Sequence, residues 1–265
     1  MSLYITSLNS GSNGNCYYVG NDTEAVLIDV GISCRQIERR LDQLGLSIHT
    51  VKAIFVSHEH TDHVSGIPQL AKKYQLPVYI TARTLQNSRL ASQAYPLRPL
   101  RSDSPVWIGD LCVSAFLKLH DAADPHSFLV RYKGTNVGVF TDLGYPCESL
   151  IEHFSQCHAA FLEANYDEEM LENGRYPYFL KQRIRGGKGH LSNQQALALF
   201  RAHKPAHMSH VLLAHLSKEN NCPDLVASQF APHRDSTEVI VAPRYAATPV
   251  YTIKAPVPAE TEVPA

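Results

Sequence analysis

Short apolar runs rich in β-branched residues alternate along this chain with segments whose apolar positions recur every three or four residues; the first pattern predicts strands and the second helices. Residues 3–8, 16–19 and 25–29 predict three strands, separated by the turn-rich Asn9-Ser10-Gly11-Ser12-Asn13-Gly14-Asn15 and Gly20-Asn21-Asp22. Ser33 is placed to cap a helix to about residue 44, with Ile37, Leu41 and Leu44 on one face and Gly45 as its stop. A strand over 53–57 and a helix over 66–74 follow. Further strands are predicted over 78–80, 111–117, 128–132, 137–141, 160–163, 211–214 and 239–242, and helices over 193–203 and 223–230. Strands come first and βα alternation second, which predicts two sheets covered by helices. No internal repeat is visible. Past Ala242 the composition changes: Pro243, Pro249, Pro256, Pro258 and Pro264 fall in a short stretch. The expected organisation is therefore one domain over 1–242 and a loosely ordered Pro-rich tail over 243–265.

Composition narrows the function. The 265 residues carry 24 Lys+Arg against 25 Asp+Glu, a net charge of −1, with 44% hydrophobic and 18% charged residues. That balance excludes intrinsic disorder and nucleic-acid binding by bulk positive charge. No apolar run approaches the roughly 20 residues that span a bilayer, and Met1-Ser2-Leu3-Tyr4 does not start a signal peptide. The expectation is a cytoplasmic protein with no membrane partner and no obligate protein partner evident. Cys16, Cys34, Cys112, Cys147, Cys157 and Cys222 are scattered without a CxxC pair, which reads as reduced thiols. Histidine is in excess, with 14 residues against 9 Phe and 3 Met.

Much of that excess gathers at strand ends. Directly after the 53–57 strand comes His58-Glu59-His60-Thr61-Asp62-His63. Residues two apart in extended backbone face the same side, so His58 and His60 converge on one ion, and a turn toward the next helix frees Asp62 and His63 for a second. Imidazoles with carboxylate suit zinc, iron or manganese. More ligands are needed downstream, and His120, Asp142 and His215 each follow an apolar strand. With the first cluster they complete two three-ligand sites, with Asp142 able to bridge. Asp29, at another strand end and followed by Gly31, fits a carboxylate that orients a metal-binding histidine.

An Asp-x-Gly after an early strand, His-x-His-x-Asp-His, a later His, Thr-Asp and a final His together resemble the metallo-β-lactamase fold superfamily. The resemblance extends to Ser10-Gly11-Ser12-Asn13-Gly14-Asn15, His120-Asp121-Ala122-Ala123-Asp124-Pro125, Thr141-Asp142-Leu143-Gly144-Tyr145, Glu163-Ala164-Asn165-Tyr166-Asp167, Gly189-His190-Leu191-Ser192-Asn193 and Ala214-His215-Leu216-Ser217-Lys218-Glu219-Asn220-Asn221, which look like the YycJ (WalJ, VicX) branch. It covers about residues 2–242. It implies an α/β (α+β) fold, a four-layer αββα sandwich with a dinuclear site along one edge, and a metal-dependent DNA exonuclease working 5′ to 3′. It also implies His58, His60 and His120 on one ion, Asp62, His63 and His215 on the other, and Asp142 between them. His126 departs from the pattern, where a smaller residue is expected, and could reach substrate.

Two ions about 3.5–4 Å apart, Zn²⁺ or Mn²⁺ with Fe possible, would turn a shared water into hydroxide near neutral pH and hold a scissile phosphate, and the hydroxide would attack the phosphorus. No Gly-x-Ser-x-Gly elbow and no P-loop advertises another mechanism. Asp62, Glu163 and His190 are the catalytic candidates; Glu163 would fix the imidazole of His190 so that its other nitrogen protonates the leaving 3′ oxygen. Between 175 and 188 the chain has Arg175, Lys181, Arg183, Arg185 and Lys188 and no acid, interleaved with Tyr176, Tyr178 and Phe179, a local basic strip suited to a nucleic-acid backbone. Lys218, Asn220 and Asn221 could reach substrate phosphate, and the Asn9 to Asn15 loop offers backbone amides to an anion. The alternative is a hydrolase of a small thiolester or other ester, glyoxalase II-like, which would not require the basic strip or the Glu163/His190 pair.

Overall fold

Alternate side chains of the first strand decide how the protein is layered. The computed structural model describes residues 2–90 and 94–254. In β1 (Ser2–Asn9), Leu3 and Ile5 enter one apolar core while Leu8 enters another on the opposite face. In β2 (Cys16–Gly20), Tyr17 and Val19 face the first core and Cys16 and Tyr18 the second. Both faces of these strands are buried, which explains why they read as continuous apolar runs rather than a half-polar alternation.

The remaining elements, in chain order, are β3 (Ala25–Ile28), α1 (Cys34–Gln43), β4 (Val51–Phe55), α2 (Thr61–Val64), α3 (Ile67–Tyr74), β5 (Val78–Ile80), α4 (Ala82–Asn87), β6 (Leu97–Pro99), β7 (Val106–Ile108), β8 (Leu111–Leu117), β9 (His126–Tyr132), β10 (Thr135–Phe140), α5 (Glu148–Phe154), β11 (Ala159–Glu163), α6 (Glu168–Asn173), α7 (Tyr178–Arg185), α8 (Asn193–His203), β12 (His210–Ala214), α9 (Pro223–Phe230), β13 (Glu238–Val241) and β14 (Tyr251–Lys254). Two sheets form, in the orders β14-β1-β2-β3-β4-β5-β6 and β13-β12-β11-β10-β9-β8-β7. Val26, Phe55, Phe128, Val139 and Phe161 interlock between them. Ile37, Leu41 and Leu70 carry α1 and α3 onto the outer face of the first sheet. Leu150, Phe200 and Phe230 carry α5, α8 and α9 onto the outer face of the second. This is the αββα sandwich.

Helix boundaries follow local chemistry. Ser33 and Ser192 each close a capping box, with Gln36 and Gln195 answering the N-cap amide, so α1 and α8 begin where their sequences predict. Truncating either serine to alanine would cost about 1 kcal/mol.

The expected loose tail from residue 243 is corrected. β14 pairs antiparallel with β1, Ser2 opposite Lys254 and Ile5 opposite Tyr251, and extends the first sheet. Ile253 is fully buried, and the Ser7 amide donates to Thr248 Oγ1 at 3.0 Å. Pro243 and Pro249 lie in the connection before the strand, where a missing N–H removes no ladder bond. Pro256, Pro258 and Pro264 lie outside the described residues. Among the described residues, no helix is long and apolar enough to cross a membrane.

Candidate metal centre and active site

β3, β4, β8, β10, β11 and β12 all deliver site residues from their carboxyl ends: Asp29, then His58 and His60, His120, Asp142, Glu163 and His215. Open sheets gather ligands at such ends. Asp29, Asp142 and His215 take φ of 60°, 56° and 56°, the left-handed region that non-glycine residues seldom occupy. Each such residue stores about 1–3 kcal/mol of strain, which persists only where surrounding structure enforces it. After His60 the chain enters the single turn of α2, which brings Asp62 and His63 round to the same cluster.

Four imidazoles are oriented in one sense. His58 Nδ1 meets Ser57 Oγ at 2.9 Å, His63 Nδ1 meets Asp29 Oδ2 at 2.7 Å, His120 Nδ1 meets the Gly189 carbonyl at 2.9 Å, and His215 Nδ1 meets Glu163 Oε1 at 3.0 Å. In these four rings Nδ1–H donates outward and Nε2 points into the cluster, while His60 turns its Nδ1 to His58 Nε2 at 3.0 Å. An outer partner of the kind the four rings have is how proteins hold imidazole for a metal. Ligand atoms of His58, His60 and His120 lie within 4.8 Å of one another, and so do those of Asp62, His63 and His215. Asp142 stands between the triads, with Oδ2 3.2 Å from His63 Nε2 and Oδ1 3.8 Å from His120 Nε2.

Charge inside the cluster is out of balance without a cation. Burial first, and the nearby Lys118 cation after it, drive His58 well below its usual pKa and His120 to about 4. Burial also opposes charge on His63 and His215, but Asp142 and its neighbouring carboxylates win, holding His63 well above the usual value and His215 at about 10. Burial likewise disfavours the Glu163 carboxylate, yet His190 and His215 keep it at about 2. His120 Nε2, His215 Nε2 and Asp142 Oδ2 are buried with no hydrogen-bond partner. Native interiors rarely leave such atoms unsatisfied. Three orphaned donor atoms, aimed together from imidazole and carboxylate, fit divalent metal ions.

The profile of the metallo-beta-lactamase superfamily matches residues 10–189. The chain belongs to the metallo-β-lactamase superfamily. Within it, the chain is 36% identical over 228 residues to Exodeoxyribonuclease YycJ of Bacillus anthracis, covering 85% of this chain and 86% of that one. It is 30% identical to Exodeoxyribonuclease WalJ of Streptococcus pneumoniae, covering 82% and 83%. These place it in the YycJ/WalJ branch. The crystal structure of the metallo-β-lactamase fold protein YhfI from Bacillus subtilis superposes with a TM-score of 0.74 at 18% identity, over 95% of this chain and all (100%) of that one.

In this metallo-β-lactamase sandwich every predicted ligand meets at one place, together with Glu163 and His190. Glu163 Oε1 accepts from both His190 Nδ1, at 2.9 Å, and His215 Nδ1, while Oε2 accepts the amides of Leu143 and Leu191 at 2.7 and 3.1 Å. His190 is the more open of the two rings, with 22% of its side chain exposed against 3% for His215. A cavity of about 400 Å³ opens above the cluster, lined by His60, Asp62, Asp121, Tyr176, Arg183 and His190 among others.

Several substrate candidates are corrected. Asn220 and Asn221 are buried; Asn221 Nδ2 donates to the Ala164 carbonyl at 2.8 Å, and the Asn220 carbonyl accepts from the Asp167 amide, so both brace the loop after His215. Lys218 is exposed beside Glu219 and does not line the cavity. Arg185 pairs with Glu172 Oε2 at 3.0 Å and Lys181 binds the Glu172 carbonyl, which turns both away from the site. Arg175 is exposed outside the cavity lining; of the basic strip, Arg183 alone borders it. In the Asn9 to Asn15 loop, Gly11 N–H goes to Asn15 Oδ1, Gly14 N–H to the Gly11 carbonyl and Asn15 N–H to the Asp62 carbonyl, while Ser12 lines the cavity. His126 is buried between Ser102 Oγ and the Asp124 carbonyl, at 3.0 and 2.9 Å, and cannot reach substrate. His210 contacts Glu238 at the far end of β12.

Sequence reasoning missed the supports. Ser57 Oγ donates to Asp29 Oδ2 at 2.7 Å, Asn15 Nδ2 to Asp62 Oδ2 at 3.2 Å, Asn165 Nδ2 to the His215 carbonyl at 2.7 Å, and Ser10 Oγ accepts the His215 amide at 2.7 Å. Lys118 is buried at the end of β8, and its Nζ donates to the Thr141 carbonyl at 2.7 Å. A lysine within an otherwise apolar strand end was the one visible signal among these.

Proposed function

We propose that this chain is a two-metal phosphodiesterase that acts as a DNA exonuclease. The observation that carries the proposal is the shared grip of Glu163 on His190 and His215, which joins an exposed proton donor to the buried cluster. His58, His60 and His120 would hold one divalent ion, Asp62, His63 and His215 the second, and Asp142 would face both. Divalent ions bound there supply Lewis acidity, neutralising charge on a phosphate and making water acidic enough to ionise near neutral pH. Zinc and manganese suit this donor set, and iron is chemically admissible.

The chain's own groups do the rest. Glu163 fixes His190 with Nδ1–H outward, so the other ring nitrogen faces the cavity and can give its proton to the leaving 3′ oxygen, a contribution of about 10²–10⁴ in rate. Asp62, with 23% of its side chain exposed at the cavity floor, can accept a proton from the attacking water as well as bind an ion. Asp29 and Ser57 keep His63 and His58 in one tautomer throughout. The YycJ and WalJ relatives support DNA as substrate, and the 5′ to 3′ direction rests on the family resemblance of the sequence motifs. A thiolester reading is weaker because a thiolate leaves without protonation and does not explain a dedicated imidazole held by a buried carboxylate.

The test is an assay of purified protein against 5′-labelled duplex DNA, single-stranded DNA, RNA and a thiolester, with Zn²⁺ and with Mn²⁺. Release of nucleotides from the 5′ end of DNA is the expected result; turnover of the thiolester with none of any nucleic acid refutes the proposal.

A further inference from the structure

The rim of the cavity pairs a cation with an anion where a polyanionic substrate must enter. Arg183 Nε donates to Asp121 Oδ2, and both residues line the cavity beside His60 and His120. The two terminal amino groups of this guanidinium take no partner among the described residues. The other carboxylate oxygen, Asp121 Oδ1, lies 3.3 Å from His120 Nε2. Asp121 thus separates the candidate ligand from the arginine. Arg185 and Lys181 are engaged by Glu172, and Arg175 and Lys188 do not line the cavity, so Arg183 is the cation of this strip that borders the site.

Resting on the phosphodiesterase reading, we infer that Arg183 is the receiver for a second substrate phosphate flanking the scissile one, and that Asp121 holds it in reserve until the strand arrives. The Arg183 side chain is 60% exposed and that of Asp121 27%. An ion pair this open is weak, no more than about fivefold in equilibrium terms. A phosphodiester offers the guanidinium a two-pronged acceptor of matching geometry, so it displaces the carboxylate. The exchange also gives selectivity. A mononucleotide ester has no flanking phosphate to release the latch, whereas an oligonucleotide does.

The test uses metal-loaded protein and a 5′-labelled, short phosphorothioate oligonucleotide, with binding followed by fluorescence anisotropy against salt. Arg183→Ala is expected to weaken binding about tenfold. It should also flatten the slope of log affinity against log salt by about 0.7, one phosphate contact on a single strand. Asp121→Asn is expected to tighten binding up to about fivefold, and to do so only while Arg183 is present. Equal tightening in the Arg183→Ala background would show Asp121 acting as a bare charge and would overturn the latch. An unchanged salt slope in Arg183→Ala would overturn the phosphate contact. Arg183→Lys keeps the charge without the fork and should recover part of the slope, which separates a binding loss from a folding loss. Hydrolysis of bis(4-nitrophenyl) phosphate by the wild-type protein keeps the two readings apart. If that diester is cleaved while Arg183→Ala binds the oligonucleotide normally, the inference falls and the phosphodiesterase stands; if no diester is cleaved, the phosphodiesterase reading falls.

Discussion

Glu163→Gln tests the centre of the site with the smallest change of shape. Oε1 of the carboxylate accepts two imidazole N–H groups and Oε2 two backbone amides, all four at 2.7–3.1 Å and fully buried. An amide offers one oxygen and one NH₂. Whichever way it turns, one pair of donors meets another donor. Hydrogen bonds to a charged group contribute about 1.5–3 kcal/mol each, and leaving buried donors unpaired puts the loss near 3–5 kcal/mol. Each kcal/mol is worth about 2–4 °C in a chain of this size, so Tm should fall by roughly 6–20 °C. With Glu163 held at about 2, its contribution is present above the ordinary carboxylate pKa and is lost as pH falls through about 2. The variant's deficit should therefore be flat from neutral pH to about 5 and shrink only in strong acid. Thermal melting read across pH gives the stability, and single-turnover cleavage of DNA gives a rate expected to drop about 10²–10⁴-fold. A variant that melts with the wild type and cleaves at its rate would refute the assigned grip on both histidines.

Three further outcomes follow from the same geometry. Gly31→Ala would place Cβ 1.7 Å from the Asp62 carbonyl oxygen and 2.6 Å from the Asn15 amide, so it should cost more than about 4 kcal/mol and lower metal content together, read by melting and elemental analysis. Ending the chain after Ala242 removes β14, buried Ile253 and the Arg244 bonds to Asn13 and the Leu216 carbonyl; the truncated protein should melt well below the full chain, and equal melting would contradict an integral β14. Because His215 sits at about 10 and His63 is raised in the metal-free cluster, loading at pH 7–8 should release protons and affinity should rise with pH. Calorimetry in buffers of different ionisation enthalpy reads the release, and a proton count of zero would show the imidazoles already neutral.

The cluster of candidate ligands was legible because its chemistry is compressed: four donors lie within His58 to His63, and His120, Asp142 and His215 each follow an apolar strand. Asp29 and Glu163 also stand at strand ends, and His190 stood out in a glycine-rich turn before a helix. What the sequence hid is long-range. Asn15 and Ser10 look like hairpin residues, and only the fold brings them under Asp62 and His215. Asn220 and Asn221 look exposed because they are polar, yet the Asn221 side-chain amide satisfies the Ala164 carbonyl and the Asn220 backbone carbonyl accepts the Asp167 amide around the loop after β12. The basic strip looked uniform, and the folding of α6 against α7 spends Lys181 and Arg185 on Glu172 while leaving Arg183 at the cavity. β14 was masked by proline composition; its partner β1 lies at the other end of the chain, so no local pattern announces the pairing.

The most direct test of the two-ion account is a titration of metal-free protein with Mn²⁺ or Zn²⁺, in which bound metal and DNA cleavage are measured in the same samples. Cleavage should appear only as the second equivalent binds, and Asp142→Ala, which removes the carboxylate between the triads, should hold fewer ions and leave DNA intact. Full cleavage by protein carrying no divalent ion, or by Asp142→Ala at the wild-type rate, would contradict it.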